Sequence, residues 1–308
     1  MKTLFKIKTF LILVICIVFA EKSNAQSQDK DTTKSYFKAS LSYLSDAVYN
    51  GRKDSTTYPY ITPRFGYYDK SGFFVDGSLS YLAAAGEKRI DLFTLEVGYD
   101  FNITKKLSGG IYADKYFYNT ASTNVQSDIK GIAGAYFNYD FDVLQLSAGT
   151  GVVFATKKDF SLNASIGHAF TFGDDGNQWT INPTASMNAS TLNFYEGYTD
   201  RRAGKNAEKN GANAGTVASV TTIYNRGNGL TLLDYELALP ISYDAAKWGI
   251  SLTPTLALPQ NPIYTRTTTT YKSRIGSSTI SQTVDSTPQS ERALGTPFFT
   301  ELSVYFKF

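Results

Sequence analysis

The sequence predicts an all-β protein, a transmembrane antiparallel up-and-down β-barrel. The C-terminal residues 296–308, TPFFTELSVYFKF, alternate strictly between two parities, the pattern of a strand with one apolar and one polar face. Similar alternating segments of about ten residues recur from Tyr36 onward. No apolar run long enough for a spanning helix follows residue 25. Because backbone groups in lipid must all be paired, such a sheet has to close on itself.

The N-terminal segment predicts export to the outer membrane of a Gram-negative bacterium. A basic stretch with Lys2, Lys6 and Lys8 precedes an apolar run at 10–20, and small residues follow at 23–25. This is the pattern of a cleaved signal peptide. We therefore expect a signal peptide at 1–25, a periplasmic tail at 26–35 and a barrel at 36–308. The single cysteine, Cys16, lies in the apolar run, so the mature chain has no disulfide.

The first half of the barrel region divides at turn residues. Asp69-Lys70-Ser71-Gly72 is a tight-turn sequence between two alternating segments, and residues 102–106 form a second turn. The predicted strands here are Tyr36–Tyr49, Tyr58–Tyr68, Phe73–Leu82, Arg89–Phe101, Leu107–Tyr118 and Asp128–Phe141.

The second half gives six more strands and two long polar segments. The strands are predicted at Leu144–Ala155, Phe160–Phe172, Gln178–Ser190, Leu230–Tyr243, Trp248–Leu258 and Thr296–Phe308. The segments 191–229 and 259–295 are expected to be long extracellular loops, the second with a Thr/Ser-rich hairpin. Twelve strands result, with ten or fourteen as alternatives, because 216–224 also has a strand-like pattern and the seventh strand alternates weakly.

Charge limits the classes of partner. Removing residues 1–25 takes away four Lys and one Glu and leaves equal numbers of basic and acidic residues. No argument for nucleic acid remains. The expected partners are outer-membrane lipid, the barrel-assembly machinery and a small polar solute. Phe306 and Phe308 are predicted to form the C-terminal assembly signal, since aromatic residues favour the membrane interface. No cofactor, metal or particular protein partner is predicted.

The inward parity is polar and carries mixed charges. Arg64 and Asp76 flank one hairpin and are expected to pair, and Lys38 and Glu301 lie on the two strands that meet at closure. Two interpretations remain open: charge pairs that brace the wall, and a selectivity constriction. The candidate lumen residues are Lys38, Arg64, Asp76, Glu96, Asp114, Lys130, Asp234, Glu236, Glu301, Tyr60, Tyr112 and Tyr116.

An enzyme is the least favoured class. Hydrolases of outer-membrane lipids need a serine and a histidine in contact. The only histidine, His168, has lipid-facing parity, and its neighbours at a spacing of two are Ile166 and Phe170. We therefore predict no catalytic residues and no enzyme activity.

Two motifs in the N-terminal half resemble a known family. Residues 45–51 read SDAVYNG and residues 71–78 read SGFFVDGS. They resemble the SDYVxRG and SGFYxGxWxS patterns of a family of uncharacterised Gram-negative, Bacteroidetes-like outer-membrane β-barrel proteins. Ala47 and Asn50 differ from that pattern, and no Trp follows Gly77. The resemblance implies a small barrel and no established activity.

The predicted function follows from the polar inward parity. We expect a porin-like channel or binding pore for small polar solutes. The alternative is a non-catalytic surface or complex scaffold that uses the loops 191–229 and 259–295. A lipid-modifying enzyme is the third hypothesis.

Overall fold

The computed structural model describes residues 34–53, 57–84, 86–174, 176–210, 214–224, 229–261, 263–273, 279–285 and 295–308. The predicted signal peptide and all but the last two residues of the predicted tail lie outside these ranges. The strands are β1 (Tyr36–Leu44), β2 (Tyr60–Tyr68), β3 (Phe73–Ala84), β4 (Glu87–Asn102), β5 (Leu107–Tyr118), β6 (Gly131–Asp140), β7 (Gln145–Phe154), β8 (Lys158–Gly167), β9 (Phe170–Asp174), β10 (Asn177–Ile181), β11 (Thr184–Ser190), β12 (Ala214–Tyr224), β13 (Thr231–Ala238), β14 (Ile241–Ala245), β15 (Trp248–Pro259), β16 (Tyr264–Ser273), β17 (Thr279–Asp285) and β18 (Phe298–Lys307). One helix, α1 (Asn193–Asn210), lies between β11 and β12.

Fifteen of these strands form a closed antiparallel barrel, which confirms the predicted fold class. Its wall has twelve strand positions, here called staves, because three of the positions are each occupied by two strands in succession. Neighbours in sequence pair from β1 to β8, β18 pairs with β1 and β15, and β13 pairs with β11 and β15. Three staves are each divided into two strands: β8 with β9, β10 with β11, and β13 with β14. The extracellular part of the barrel therefore has no unpaired strand edge.

Prolines cause two of the three divisions. Pro183 separates β10 from β11, and Pro240 separates β13 from β14. Proline has no N–H to donate to a ladder, so pairing is interrupted there. Where the ladder is interrupted, single hydrogen bonds connect neighbouring staves. Asn182 N donates one to Pro240 O at 2.9 Å, and His168 N donates one to Pro183 O at 3.3 Å. Below this interruption, β9 pairs with β10 alone among the described strands.

The outer surface of the barrel is apolar. Leu95 and Leu237 are 44% and 49% exposed, although Leu95 lies in the middle of β4 and Leu237 lies near the middle of the segment formed by β13 and β14. An apolar belt this extensive belongs against lipid, because a protein surface in water rarely carries one. Aromatic side chains cluster toward the periplasmic ends, where the rings of Trp179 and Tyr243 lie 5.0 Å apart. Within the described ranges, no helix is long and apolar enough to cross a membrane.

A separate layer covers the extracellular end. The predicted loop 191–229 contains α1 and β12, and β12 pairs with β16 and β16 with β17 in a small sheet of its own. The predicted Thr/Ser-rich hairpin is thus present as β16 and β17. The helix contacts β8, β12 and β16.

Candidate functional site

Three carboxylate side chains lie side by side on the lumen wall. Asp76 on β3 pairs directly with Glu96 on β4, and Glu96 pairs directly with Asp114 on β5. The outward neighbours of Glu96, Leu95 and Val97, are exposed on the lipid face, so the alternation of β4 directs Glu96 inward. We call Asp76, Glu96 and Asp114 the acidic arc.

The guanidinium group of Arg64 forms ion pairs with two residues of the arc. Arg64 Nη1 lies 3.3 Å from Asp76 Oδ1 and 3.2 Å from Glu96 Oε2. The predicted pairing of Arg64 with Asp76 is therefore observed, and Glu96 shares the same cation. Tyr68 donates a hydrogen bond to Asp76 at 3.2 Å, and Tyr116 donates one to Asp114 at 3.3 Å. Asp114 Oδ1 is shielded from solvent and accepts no hydrogen bond. Within the described ranges, Arg64 is the cation that forms ion pairs with the arc, and Lys38 lies in the same row two strands from Asp76.

A second acidic pair lies on the other side of the lumen. Asp234 and Glu236 share a parity on β13, and Asp234 is fully buried. Asp234 accepts a hydrogen bond of 2.9 Å from Asn188 of β11. Glu236 pairs directly with Ala257 of β15. The buried position of Asp234 makes it part of the wall rather than of the water-filled space.

A second basic lumen residue, Lys38, lies in the row of the arc, because it pairs directly with Gly66 and Gly66 pairs directly with Asp76. Lys38 pairs directly with Lys307, and Lys38 Nζ lies 4.5 Å from the centroid of the Tyr305 ring. Glu301 instead pairs with Leu44 at the opposite end of β1. β1 and β18 meet at closure as predicted, and the register of this seam separates Lys38 from Glu301 along the strands.

The remaining predicted residues have different surroundings. Tyr60 is buried and donates a hydrogen bond of 2.6 Å to Asp91, so it braces the wall. Tyr112 on β5 pairs directly with Gly134 on β6, and a Cβ atom at Gly134 would come within 2.8 Å of the Tyr112 ring. Lys130 is exposed and belongs to the loop before β6. The arc, Arg64, Tyr112 and Tyr116 are therefore predicted residues that the fold brings together.

The loop between β1 and β2 folds across the extracellular mouth. The first predicted strand extends to Tyr49, but β1 ends at Leu44. Asp46 accepts hydrogen bonds from Tyr58 N at 2.9 Å and Lys53 Nζ at 2.6 Å, and these contacts turn the chain inward. The Tyr49 ring then packs edge-on against Phe194 of α1 at 5.2 Å.

Arg52 holds this loop in place, and sequence reasoning missed it. The side chain is buried, and its guanidinium donates hydrogen bonds to the carbonyl oxygens of Asn50, Leu233, Gln260 and Asn261 at 2.7–3.1 Å. Gly51 has a φ of 72° and leaves no room for a Cβ atom beside Asp234. The Asn50-Gly51 dipeptide was a readable turn signal.

The helix α1 is anchored on the barrel rim. Asp159 at the start of β8 is fully buried and accepts hydrogen bonds from Asn193 N at 2.6 Å and Phe194 N at 2.7 Å. It therefore acts as the N-cap of α1 from a distant strand. Lys157 pairs with Glu196 at 2.6 Å. The apolar cluster beneath consists of Val125, Ile129, Val153, Leu192, Phe194, Tyr195, Tyr198, Ile223, Leu233 and Ile263.

A cavity of ≈ 130 Å³ remains under the first loop. Tyr49, Tyr60, Thr62, Ser80 and Gln126 are among its lining residues. His168 lies far from this mouth, at the division between β8 and β9, with its ring against Phe170 at 4.4 Å.

Similarity to known proteins is limited to low-scoring superpositions on solved structures. No protein-family model matches the chain, and no curated protein matches it by sequence. Among solved structures, the KdgM porin superposes with a TM-score of 0.45 at 9% identity, over 88% of this chain and 99% of that chain. Pseudomonas aeruginosa OccK8 gives 0.29 at 8% identity, over 89% and 98% of the two chains. Salmonella typhi OmpF, solved with daunomycin, gives 0.28 at 10%, over 89% and 97%.

Proposed function

We propose that the protein is an outer-membrane channel or binding pore for small polar solutes, and that it favours cationic over anionic ones. The acidic arc carries this proposal. Glu96 and Arg64 retain 23% and 42% side-chain exposure inside the barrel, so solvent space adjoins them. A solute in the lumen would meet these charges directly.

The magnitude of the repulsion within the arc supports a preference for cations. Directly paired strands lie about 4.8 Å apart. Two carboxylates at about that separation repel by roughly 3 kcal/mol at an effective dielectric constant of 20. Arg64 offsets only part of this, because it contacts Asp76 and Glu96 but makes no ion pair with Asp114 among the described contacts. A passing cation would relieve the remaining repulsion, whereas an anion would increase it.

Planar bilayers test both parts of the proposal. The purified protein is expected to give discrete conductance steps, with a reversal potential in a KCl gradient that favours K⁺. The double variant Glu96→Gln/Asp114→Asn is expected to lose most of that preference. Asp174→Asn, at the exposed last residue of β9, is the matched control and is expected to keep it. Absence of any conductance would count against a channel, and conductance with equal selectivity in all three proteins would remove the role of the arc.

A non-catalytic surface scaffold is the second candidate, and the extracellular sheet favours it. Every described residue of β17 is exposed, including the apolar Ile280 and Val284 at 67% and 58%. Arg266 forms a bidentate pair with Asp285 at 2.7 and 2.9 Å, which lowers the pKa of Asp285 and holds the hairpin together. Exposed apolar residues on an ordered strand suit a protein partner.

Replacing the hairpin separates the two candidates. If residues 264–285 are exchanged for a short Gly/Ser linker, a scaffold would lose its copurifying partner while the barrel stays folded. A channel would keep its conductance and selectivity in the same variant.

A further inference from the structure

Two lysines lie on the lipid-facing side of the barrel near its extracellular end. Direct pairing places Leu95, Lys115, Gly131, Phe154 and Lys158 in one row across β4 to β8. Lys158 is the first residue of β8, and Lys115 lies three positions before the end of β5. Their parity is that of the exposed Leu95 and Phe154, so both side chains face outward.

Among the residues that the structure describes, neither ammonium group has a counter-charge within ion-pair distance. Within the described ranges, Lys115 and Lys158 make no ion pair. Lys115 Nζ lies 5.5 Å from the centroid of Phe117, and Lys158 Nζ lies 5.9 Å from that of Phe154. The carboxylates of the neighbouring residues, Asp114 and Asp159, have the opposite parity and face the lumen.

A lysine on a lipid face destabilises the protein unless an opposite charge or water compensates its charge. The cost falls from about 2–4 kcal/mol at the bilayer midplane toward zero at the interface. Both lysines lie near the extracellular ends of their strands, where long side chains reach the level of lipid headgroups. At the extracellular interface, an anionic lipid headgroup can compensate the positive charge of these lysines.

The surface between the lysines has room for such a group. Gly131 occupies the row between Lys115 and Phe154, and the next outward residues of β6 are Ala133 and Ala135. Small side chains here leave a shallow strip bordered by Phe117 and Phe154. Three strand spacings, about 14 Å, separate the backbones of the two lysines.

We propose that Lys115 and Lys158 bind the phosphorylated headgroup of an outer-leaflet lipid. The ammonium groups would donate charge-assisted hydrogen bonds to phosphate oxygens, and the acyl chains would lie along the strip of small residues. This site lies on the outside of the wall, so it goes beyond the proposed channel function and does not depend on it.

Native mass spectrometry with lipid A as the probe tests this site. The full-length, detergent-solubilised protein is titrated with lipid A and, separately, with enzymatically dephosphorylated lipid A. The Lys115→Gln/Lys158→Gln variant is expected to bind lipid A about tenfold more weakly. Lys105→Gln/Lys247→Gln, in two exposed periplasmic turns, is the matched control and is expected to bind like the wild type.

Further measurements distinguish a lipid headgroup from free phosphate as the ligand, and further variants control for misfolding. Inorganic phosphate in millimolar excess is expected to leave lipid A bound, because it lacks the acyl contacts. Lys115→Arg/Lys158→Arg is expected to retain binding, and Lys158→Gln alone, at the strand end, serves if the double glutamine variant does not fold. Equal binding of lipid A by the wild type and the folded glutamine variants, or equal binding of its dephosphorylated form, would overturn the proposal.

Discussion

The guanidinium of Arg52 donates a hydrogen bond of 3.1 Å to the main-chain carbonyl oxygen of Leu233, 181 residues further along the chain. Leu233 belongs to β13, which lies three strands from β1 in the order of the barrel. This contact therefore ties the first extracellular loop across the mouth.

Replacing Arg52 by Gln is expected to release this loop without unfolding the barrel. Hydrogen bonds from a charged donor contribute about 1.5–3 kcal/mol each, and the variant loses several of them. We expect faster tryptic cleavage after Lys53 and a larger unit conductance, with unchanged heat modifiability in gels. Arg266→Gln, in the distant hairpin, is the control for the loss of a cation. Protection of Lys53 in both variants would show that other contacts hold the loop.

Replacing Asp159 by Ala is expected to loosen the N-terminal turns of α1. The variant removes a cap that accepts two backbone N–H groups and the Thr191 hydroxyl, and loss of a helix cap costs about 0.5–2 kcal/mol. Hydrogen exchange of residues 194–198 should therefore rise by about tenfold while exchange in β1–β6 stays constant. Unchanged exchange in α1 would mean that the apolar cluster alone orders the helix.

Arginine substitutions on the two faces of the wall are expected to differ in cost. Leu237→Arg places a charge on the lipid face and should lower the free energy of unfolding by about 2–4 kcal/mol. Ser251→Arg, on the lumen face, should cost clearly less, because water and the carboxyl groups of the lumen are within reach. Urea titrations in lipid vesicles measure both. Equal losses would contradict the assignment of the two faces.

Phe308 is expected to be important for assembly at the seam. Its N–H donates to Phe37 O at 2.9 Å, and its side chain is 75% exposed toward the region of the interface. Phe308→Asp should reduce the amount of heat-modifiable protein in outer-membrane fractions far more than Lys307→Ala. Phe306→Asp is expected to behave like Phe308→Asp. Wild-type assembly of both Asp variants would exclude these two residues as the assembly signal.

Alternation was sufficient to predict the wall because each strand meets lipid on one side and the lumen on the other. The same pattern predicted that Arg64 and Asp76 lie together, since their hairpin is short and its register follows from the turn. The contact of Glu96 with Arg64 was not predicted, although both lie on the inward parity of nearby strands.

The positions of α1 and of the loop between β1 and β2, which cover the extracellular mouth, were harder to predict, because residues distant in sequence determine them. The helix α1 has no continuous apolar stripe, and its cap is Asp159 on β8 rather than a residue of its own. Arg52 likewise satisfies carbonyl oxygens of β13 and of the loop after β15. Such long-range contacts leave no periodic trace in a single sequence. A local hint was present at the helix, where Asn193 and Glu196 have the spacing of a capping box.

The unpaired side of β9 makes the two ends of the barrel unlike each other. β7 begins at Gln145, which pairs with Gly167, so the stave formed by β8 and β9 continues past its neighbour. The hairpin of β9 and β10 therefore extends the periplasmic rim on one side, past the first residue of β7. If the lumen conducts solutes as proposed, the position at which β9 ends would make one side of the periplasmic exit longer than the other.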